Sequence, residues 1–198
     1  NEILLTELQT SINFVRELIR RDGGVSFSGP EITWQAIDIA GRPTEVSLPQ
    51  LLIGVEPVPK ITEFEVGVPI VDEITSRTGA TATIFQRMNQ EGDMLRVATT
   101  FISTIDPGSG EKHPVIEAIL AGEEFIGLST VVDTHYLTLY SPLRDELTNE
   151  IIGMIYVGFN LDTLPSLREN IRETRVGSMG SIVVIQGTGP LAGTNQLA

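Results

Sequence analysis

The sequence predicts an α+β domain, with an antiparallel sheet and a long N-terminal helix. Three observations carry this. A helical apolar pattern opens the chain. Strand-like runs joined by short turns fill the rest. Helix and strand do not alternate regularly. Short turns favour antiparallel pairing, and the missing alternation argues against a doubly wound parallel sheet.

The first element runs from Asn1 to about Arg21. Leu5, Leu8, Ile12, Val15 and Ile19 are spaced three and four apart, a heptad seam. Leu4, Phe14 and Leu18 widen the apolar surface, so one face can pack on the domain and another can meet a partner helix. The alternative is an ordinary amphipathic core helix. Asp22-Gly23-Gly24 stops it. Val25 to Leu52 reads as strands, with Gly41-Arg42-Pro43 as the turn between Trp34–Asp38 and Thr44–Leu48. Pro57, Pro59 and Lys60 mark a loop. Val68 to Arg77 has a short helical pattern closed by Thr78-Gly79. Ala80–Arg87 and Met94–Phe101 are strands about the turn Asn89–Asp93, and Asp106–Gly110 is a loop.

Pro114 opens a short helix that Gly122 ends after Ala121. Strands follow at Glu124–Val132, His135–Leu143 and Ile151–Asn160. The last is apolar at both parities, as a central strand covered on both faces would be. Leu164, Leu167 and Ile171, with Pro165 in the first turn, predict a helix reaching Val176. Ser181–Gln186 reads as one more strand, and Gly187 opens a polar, glycine-rich tail.

The 198 residues suit one domain with a full core. The 26 acidic against 13 basic side chains, a formal charge of −13, exclude a grip on nucleic acid or on an anionic membrane surface. The absence of cysteine removes disulfides, thiol nucleophiles and zinc–thiolate sites. The longest apolar run, Ile151–Phe159, falls short of the ~20 residues of a spanning helix. Asn1 is neither an initiator Met nor the start of a signal-peptide pattern, and the expectation is a piece of a longer protein.

Motifs of catalysis are missing. His113 precedes a proline in a loop and His135 sits at a hairpin turn, neither with a partner at metal spacing. No serine lies in a G-x-S-x-G turn. The glycines around Gly108 and Gly187 lack the flanking residues of phosphate loops. The acidic turn Asp145, Glu146, Glu150 lacks the alternating ligands and central glycine of a calcium loop. No catalytic residue, metal or cofactor is therefore expected, and the chain does not read as an enzyme.

A few residues are placed for binding. Arg96 lies in the otherwise apolar strand Met94–Ala98, where a guanidinium is either paired or aimed at an anion. Tyr136, Thr138 and Tyr140 share one strand face, and Thr99 follows Arg96. Together they offer a cation and hydroxyls to a small carboxylate. The alternative is a cross-strand polar pair on a solvated face.

Thr78–Arg87 with Gly92–Thr100, and Tyr136–Asp145 with Ile151–Gly158, resemble the Cache family of extracytoplasmic sensor domains, in the single-Cache type 3 form. The hairpin Trp34 to Pro49 is similar to that of the Cache 3–Cache 2 fusion subgroup. The resemblance runs from about Trp34 to Gly180. It implies a PAS-like fold, a central antiparallel sheet with the long N-terminal helix packed on one face and a ligand pocket on the other, and a ligand-binding, non-enzymatic module of a bacterial chemoreceptor, sensor histidine kinase or cyclic-dinucleotide enzyme. It also implies a periplasmic location between transmembrane helices outside this chain, and a homodimer through the N-terminal helix in the intact receptor. The alternative is a structural or dimerisation module that binds nothing.

On this reading residues 1–24 form the membrane-proximal helix and 25–176 the sensor domain. Residues 177–198 form a strand and tail, or the start of a second unit. The candidate ligand-binding residues are Arg96, Thr99, Thr138, Tyr140, Tyr136 and Ile84. Citrate-type relatives carry Arg at the Arg96 position, His where Thr99 stands, and basic residues where Thr138 and Tyr140 stand. One cation cannot neutralise a tricarboxylate in a desolvated pocket. The expected ligand is a mono- or dicarboxylate or a neutral polar molecule.

Overall fold

The computed structural model describes residues 2–38, 41–59, 69–98, 105–106, 114–131, 134–162, 184–185 and 194–195. It opens with helix α1 (Glu2–Arg21). Gly23, with φ 109°, ends this helix. Its N–H bonds the Arg20 carbonyl and the Gly24 N–H bonds that of Ile19, the paired bonds of a Schellman cap. Strands β1 (Val25–Ile37) and β2 (Pro43–Ile53) form a long antiparallel hairpin, extended by β3 (Glu56–Pro57). Pro57, expected in a loop, is thus at the end of a two-residue strand.

The remaining elements are α2 (Pro69–Thr78), β4 (Thr81–Arg87), β5 (Met94–Ala98), β6 (Ile105–Asp106), α3 (Pro114–Ala121), β7 (Phe125–Val131), β8 (Thr134–Arg144) and β9 (Ile151–Asn160). Two short strands, β10 (Val184–Ile185) and β11 (Thr194–Asn195), complete the described residues. The predicted helix Leu164–Val176 lies outside them. The main sheet runs β11-β10-β7-β8-β9-β4-β5-β6, antiparallel except where β10 meets β7. Its five longer strands, counted in chain order, give 2-1-5-4-3, a PAS-like arrangement with β9 at the centre.

Each strand feeds two cores. Ile84, Leu95, Leu137, Leu139, Ile155 and Val157 point to the α1 side and join Leu8, Ile12, Val15 and Ile19. Phe85, Met94, Tyr140, Met154 and Tyr156 point to the other side and join Val115, Ile116 and Ile119 of α3. The hairpin β1–β2 belongs to the α1 side through Trp34, Leu48 and Leu51, and the Gln86 amide donates to the Pro49 carbonyl at 2.9 Å.

Most of the heptad residues of α1 are consumed by this core. Leu8, Ile12 and Val15 are fully buried within the chain. Any helix that meets α1 must use the opposite face, where Asn13, Glu17 and Arg20 are exposed. From α1, Arg16 donates to the Ser141 hydroxyl of β8 at 2.7 Å and pairs with Glu124 just before β7. No helix among the described residues is long and apolar enough to cross a membrane.

Candidate functional site

Strand register builds the site. Thr83, Tyr156, Tyr140 and Phe125 are consecutive partners across β4, β9, β8 and β7. Two residues further along, Thr81, Gly158, Thr138 and Gly127 form the next row. Beyond it stand Asn160, Tyr136 and Ser129. Side chains two apart share a face, so all three rows lie on the α3 side. A row of small residues is therefore flanked by a row of rings on one side and by Tyr136 on the other.

Arg96 pairs with Phe85, and its guanidinium carbon stands 5.3 Å from the centroid of the Phe85 ring. The residue is only 5% exposed. A cation over an aromatic face in a water-poor setting is stabilised by the ring quadrupole. Next to it, Tyr156 is 7% exposed. Burial pushes its phenol up to about 12, a hydrogen bond with Thr81 works against that shift, and Tyr136 and Arg96 interact with it more weakly. The Thr81 hydroxyl donates to the Gly158 carbonyl at 3.1 Å. Burial, then the Asp162 carboxylate, raises the half-buried Tyr136 phenol as well. Arg96, Tyr156 and Tyr136 thus converge as one cation and two phenols that stay protonated at neutral pH.

The sequence-derived candidates separate on these facts. Arg96, Tyr136, Thr138 and Tyr140 share the face. Thr138 is fully buried and donates to the Gly127 carbonyl at 2.9 Å, so its hydroxyl proton is committed. Tyr140 is packed between rings, with centroids 6.4 Å from Phe125 and 5.2 Å from Tyr156, and it forms a wall. Ile84 is a correction, since it lies in the α1-side core with 1% exposure. It is the neighbour of Phe85 in a strand, and adjacent strand residues face opposite ways. Thr99 and His113 fall outside the described residues. His135 sits beside Asp162, whose carboxylate accepts its backbone N–H at 2.9 Å and lies 3.3 Å from its Nδ1, closing the end of β8. In the acidic turn, Asp145 accepts the N–H groups of Leu147 and Thr148, both at 2.8 Å.

Sequence reasoning missed Tyr156, Thr81 and Gly158. Tyr156 is hidden in a strand that reads as uniformly apolar. The turn Asp145–Glu150 holds the usable signal, because it sets the register that brings Tyr156 opposite Tyr140.

A concavity of about 530 Å³ lies at the C-terminal end of α1 between the β2–β3 turn and α2. It is lined by aliphatic side chains and prolines with Asp22, Glu56 and Glu73. Asp22 pairs with Arg21, and Glu73 with Arg77. It contains none of the candidate residues.

A PAS-like sheet with a long helix behind it and a polar, ring-walled face in front is the architecture of a sensor domain. The chain belongs to the Cache 3/Cache 2 fusion domain family, which matches it over residues 1–197, and is a sensor module of the extracytoplasmic type. The periplasmic domain of RsbU from Chlamydia trachomatis is partly similar, with a TM-score of 0.37 and 11% identity over 55% of this chain and 39% of that one. The chain therefore corresponds to about two fifths of that structure, a likeness too slight to carry function. No curated protein sequence matches.

Proposed function

We propose that this domain binds a small mono- or dicarboxylate on the α3-side face, with Arg96 as the anion's cation and Tyr156 and Tyr136 as hydrogen-bond donors. The observation that carries the reading is the buried Arg96 guanidinium standing over the Phe85 ring beside those phenols. Taking a cation out of water is costly, and an anionic ligand offsets that cost. A protein of net charge −13 repels carboxylates everywhere that no local cation attracts them. One guanidinium suits one or two carboxylates and poorly neutralises three.

The reading extends to the whole receptor. Transmembrane helices outside this chain anchor the domain on the periplasmic side of a bacterial inner membrane. Ligand occupancy shifts α1 between two packings, as a chemoreceptor or histidine kinase requires. In the intact receptor the homodimer contact uses the exposed side of α1. The rival, a structural module dimerising through the heptad seam, is disfavoured because Leu8, Ile12 and Val15 are fully buried in the chain's own core.

A thermal-shift series of short carboxylic acids tests the proposal, since a ligand that binds only the native state raises the melting temperature. Acids at 100 times their dissociation constant should stabilise the domain by about 2.7 kcal/mol. Arg96→Ala should abolish the response. If no acid shifts the wild type, or if Arg96→Ala responds as the wild type does, the anion site is wrong.

A further inference from the structure

We propose that the concavity at the C-terminal end of α1 binds an organic monocation, an ammonium group on a compact apolar body. This site is separate from the anion face and does not depend on the reading given for it.

Backbone contacts frame the cavity. Gly54 lies in the β2–β3 turn with φ 62°, and a Cβ there would run into the Asp22 carbonyl. Its N–H donates to the Gly24 carbonyl at 2.8 Å, which fixes the turn against the end of α1. Across the cavity, Arg21 of α1 stands 3.9 Å from Glu73 of α2. Helix end, turn and second helix therefore wall a preformed space of about 530 Å³, a size usual for small-ligand pockets. Ile53, Val55 and Ile70 supply its apolar lining together with prolines. Val55 is 86% exposed, an aliphatic side chain left to water beside the cavity.

The charges choose the sign of the ligand. Asp22, Glu56 and Glu73 line the cavity, and no Lys, Arg or His does so among the described residues. Asp22 pairs with Arg21 and Glu73 with Arg77, two guanidiniums that stand outside the lining. No ion pair among the described residues reaches Glu56. Three carboxylates against two guanidiniums leave one negative charge. The C-terminal end of α1 adds the negative pole of its macrodipole. An anion is repelled here and a neutral solute leaves the Glu56 charge unmet, whereas an ammonium group answers it and its apolar body covers the aliphatic wall.

The experiment measures melting shifts and calorimetric affinities for benzylammonium, methylammonium and benzyl alcohol at neutral pH. The proteins are the wild type, Glu56→Gln, Glu31→Gln and Arg96→Ala, with sedimentation of the wild type and Val55→Asp alongside. Benzylammonium should raise the wild-type melting temperature, and methylammonium and benzyl alcohol should bind more weakly. Glu56→Gln should bind benzylammonium about tenfold more weakly, through loss of one charged partner. Glu56 is exposed, so its substitution does not threaten the fold. Glu31→Gln, which removes an exposed charge elsewhere, and Arg96→Ala should both bind benzylammonium as the wild type does. The inference is overturned if the wild type binds no amine, if benzyl alcohol binds as well as benzylammonium, or if Glu56→Gln is unchanged. It is also overturned if Arg96→Ala loses the amine, which would move the cation to the other face. Self-association that Val55→Asp abolishes, in a protein deaf to amines, would make the cavity a contact between copies and overturn it too. None of these outcomes bears on the acid response that tests the anion site.

Discussion

The two faces of the main sheet are made by the same strands and obey different rules. On the α1 side, Ile84, Leu139, Ile155 and Val157 meet Leu8, Ile12 and Val15 in an aliphatic core. On the α3 side, one residue along in each strand, stand Phe85, Tyr140 and Tyr156, with Thr83, Thr138 and Arg96 buried among them. Aliphatic packing is judged only by volume and fit. The opposite face must also satisfy buried hydroxyls and a guanidinium, which is costly unless they find partners. One face holds the fold together, while the other accepts polar groups that the fold alone does not need.

The largest expected effect tests the aliphatic side. Ile12→Ala should lower stability by about 2–5 kcal/mol, the range for truncating a fully buried aliphatic side chain. Chemical denaturation measures this. The variant should still answer to acids, because Ile12 is on the far side of the sheet from Arg96. A protein with unchanged stability and an altered association state would break the comparison, by showing that the heptad seam faces a partner after all.

A smaller effect separates the faces by pH. Tyr156 titrates near 10.0 when unfolded and about 12 when folded. Its folded value is raised, so the stability it contributes is complete below pH ~10 and is lost as pH rises towards ~12. Two units correspond to roughly 3 kcal/mol. Across that window the wild type should lose unfolding free energy relative to Tyr156→Phe, which has no phenol to ionise, and the gap between the two should change by that amount. Parallel curves would mean that the phenol is not buried on this face.

Much of this division was legible in the sequence. Pro114 and Gly122 bound α3 because one needs no N–H and the other, at φ 84°, follows the last helical residue. The strands β7, β8 and β9 fall within a residue or two of their apolar runs. The faces were harder to assign. In β4, Ala82 and Ile84 alternate with Thr83 and Phe85, all buried, so parity alone does not say which set meets the helix. An irregularity in pairing with β5 falls between Ile84 and Phe85, at the very residues that had to be told apart. Arg96 was readable because a charge in an apolar strand stands out. Tyr156 was not, because its hydroxyl acts through Thr81 and Gly158, which only the register brings beside it.

The smallest effect concerns Thr138, where the two rules meet in one residue. Its hydroxyl lies on the site face, yet it donates to the Gly127 carbonyl with both groups buried. Thr138→Val keeps the shape and leaves that carbonyl short of one donor, so about 1–3 kcal/mol of stability should be lost. Thr138→Ser keeps the donor and should recover part of the loss. Acid binding should weaken less in Thr138→Val than in Arg96→Ala, since only a lone pair of the threonine oxygen remains to meet a ligand. If Thr138→Val instead abolishes binding at little cost in stability, the threonine row is the ligand's contact surface. The division of labour across the sheet then runs one row further into the site than the hydrogen bonds of Thr138 and Thr81 indicate.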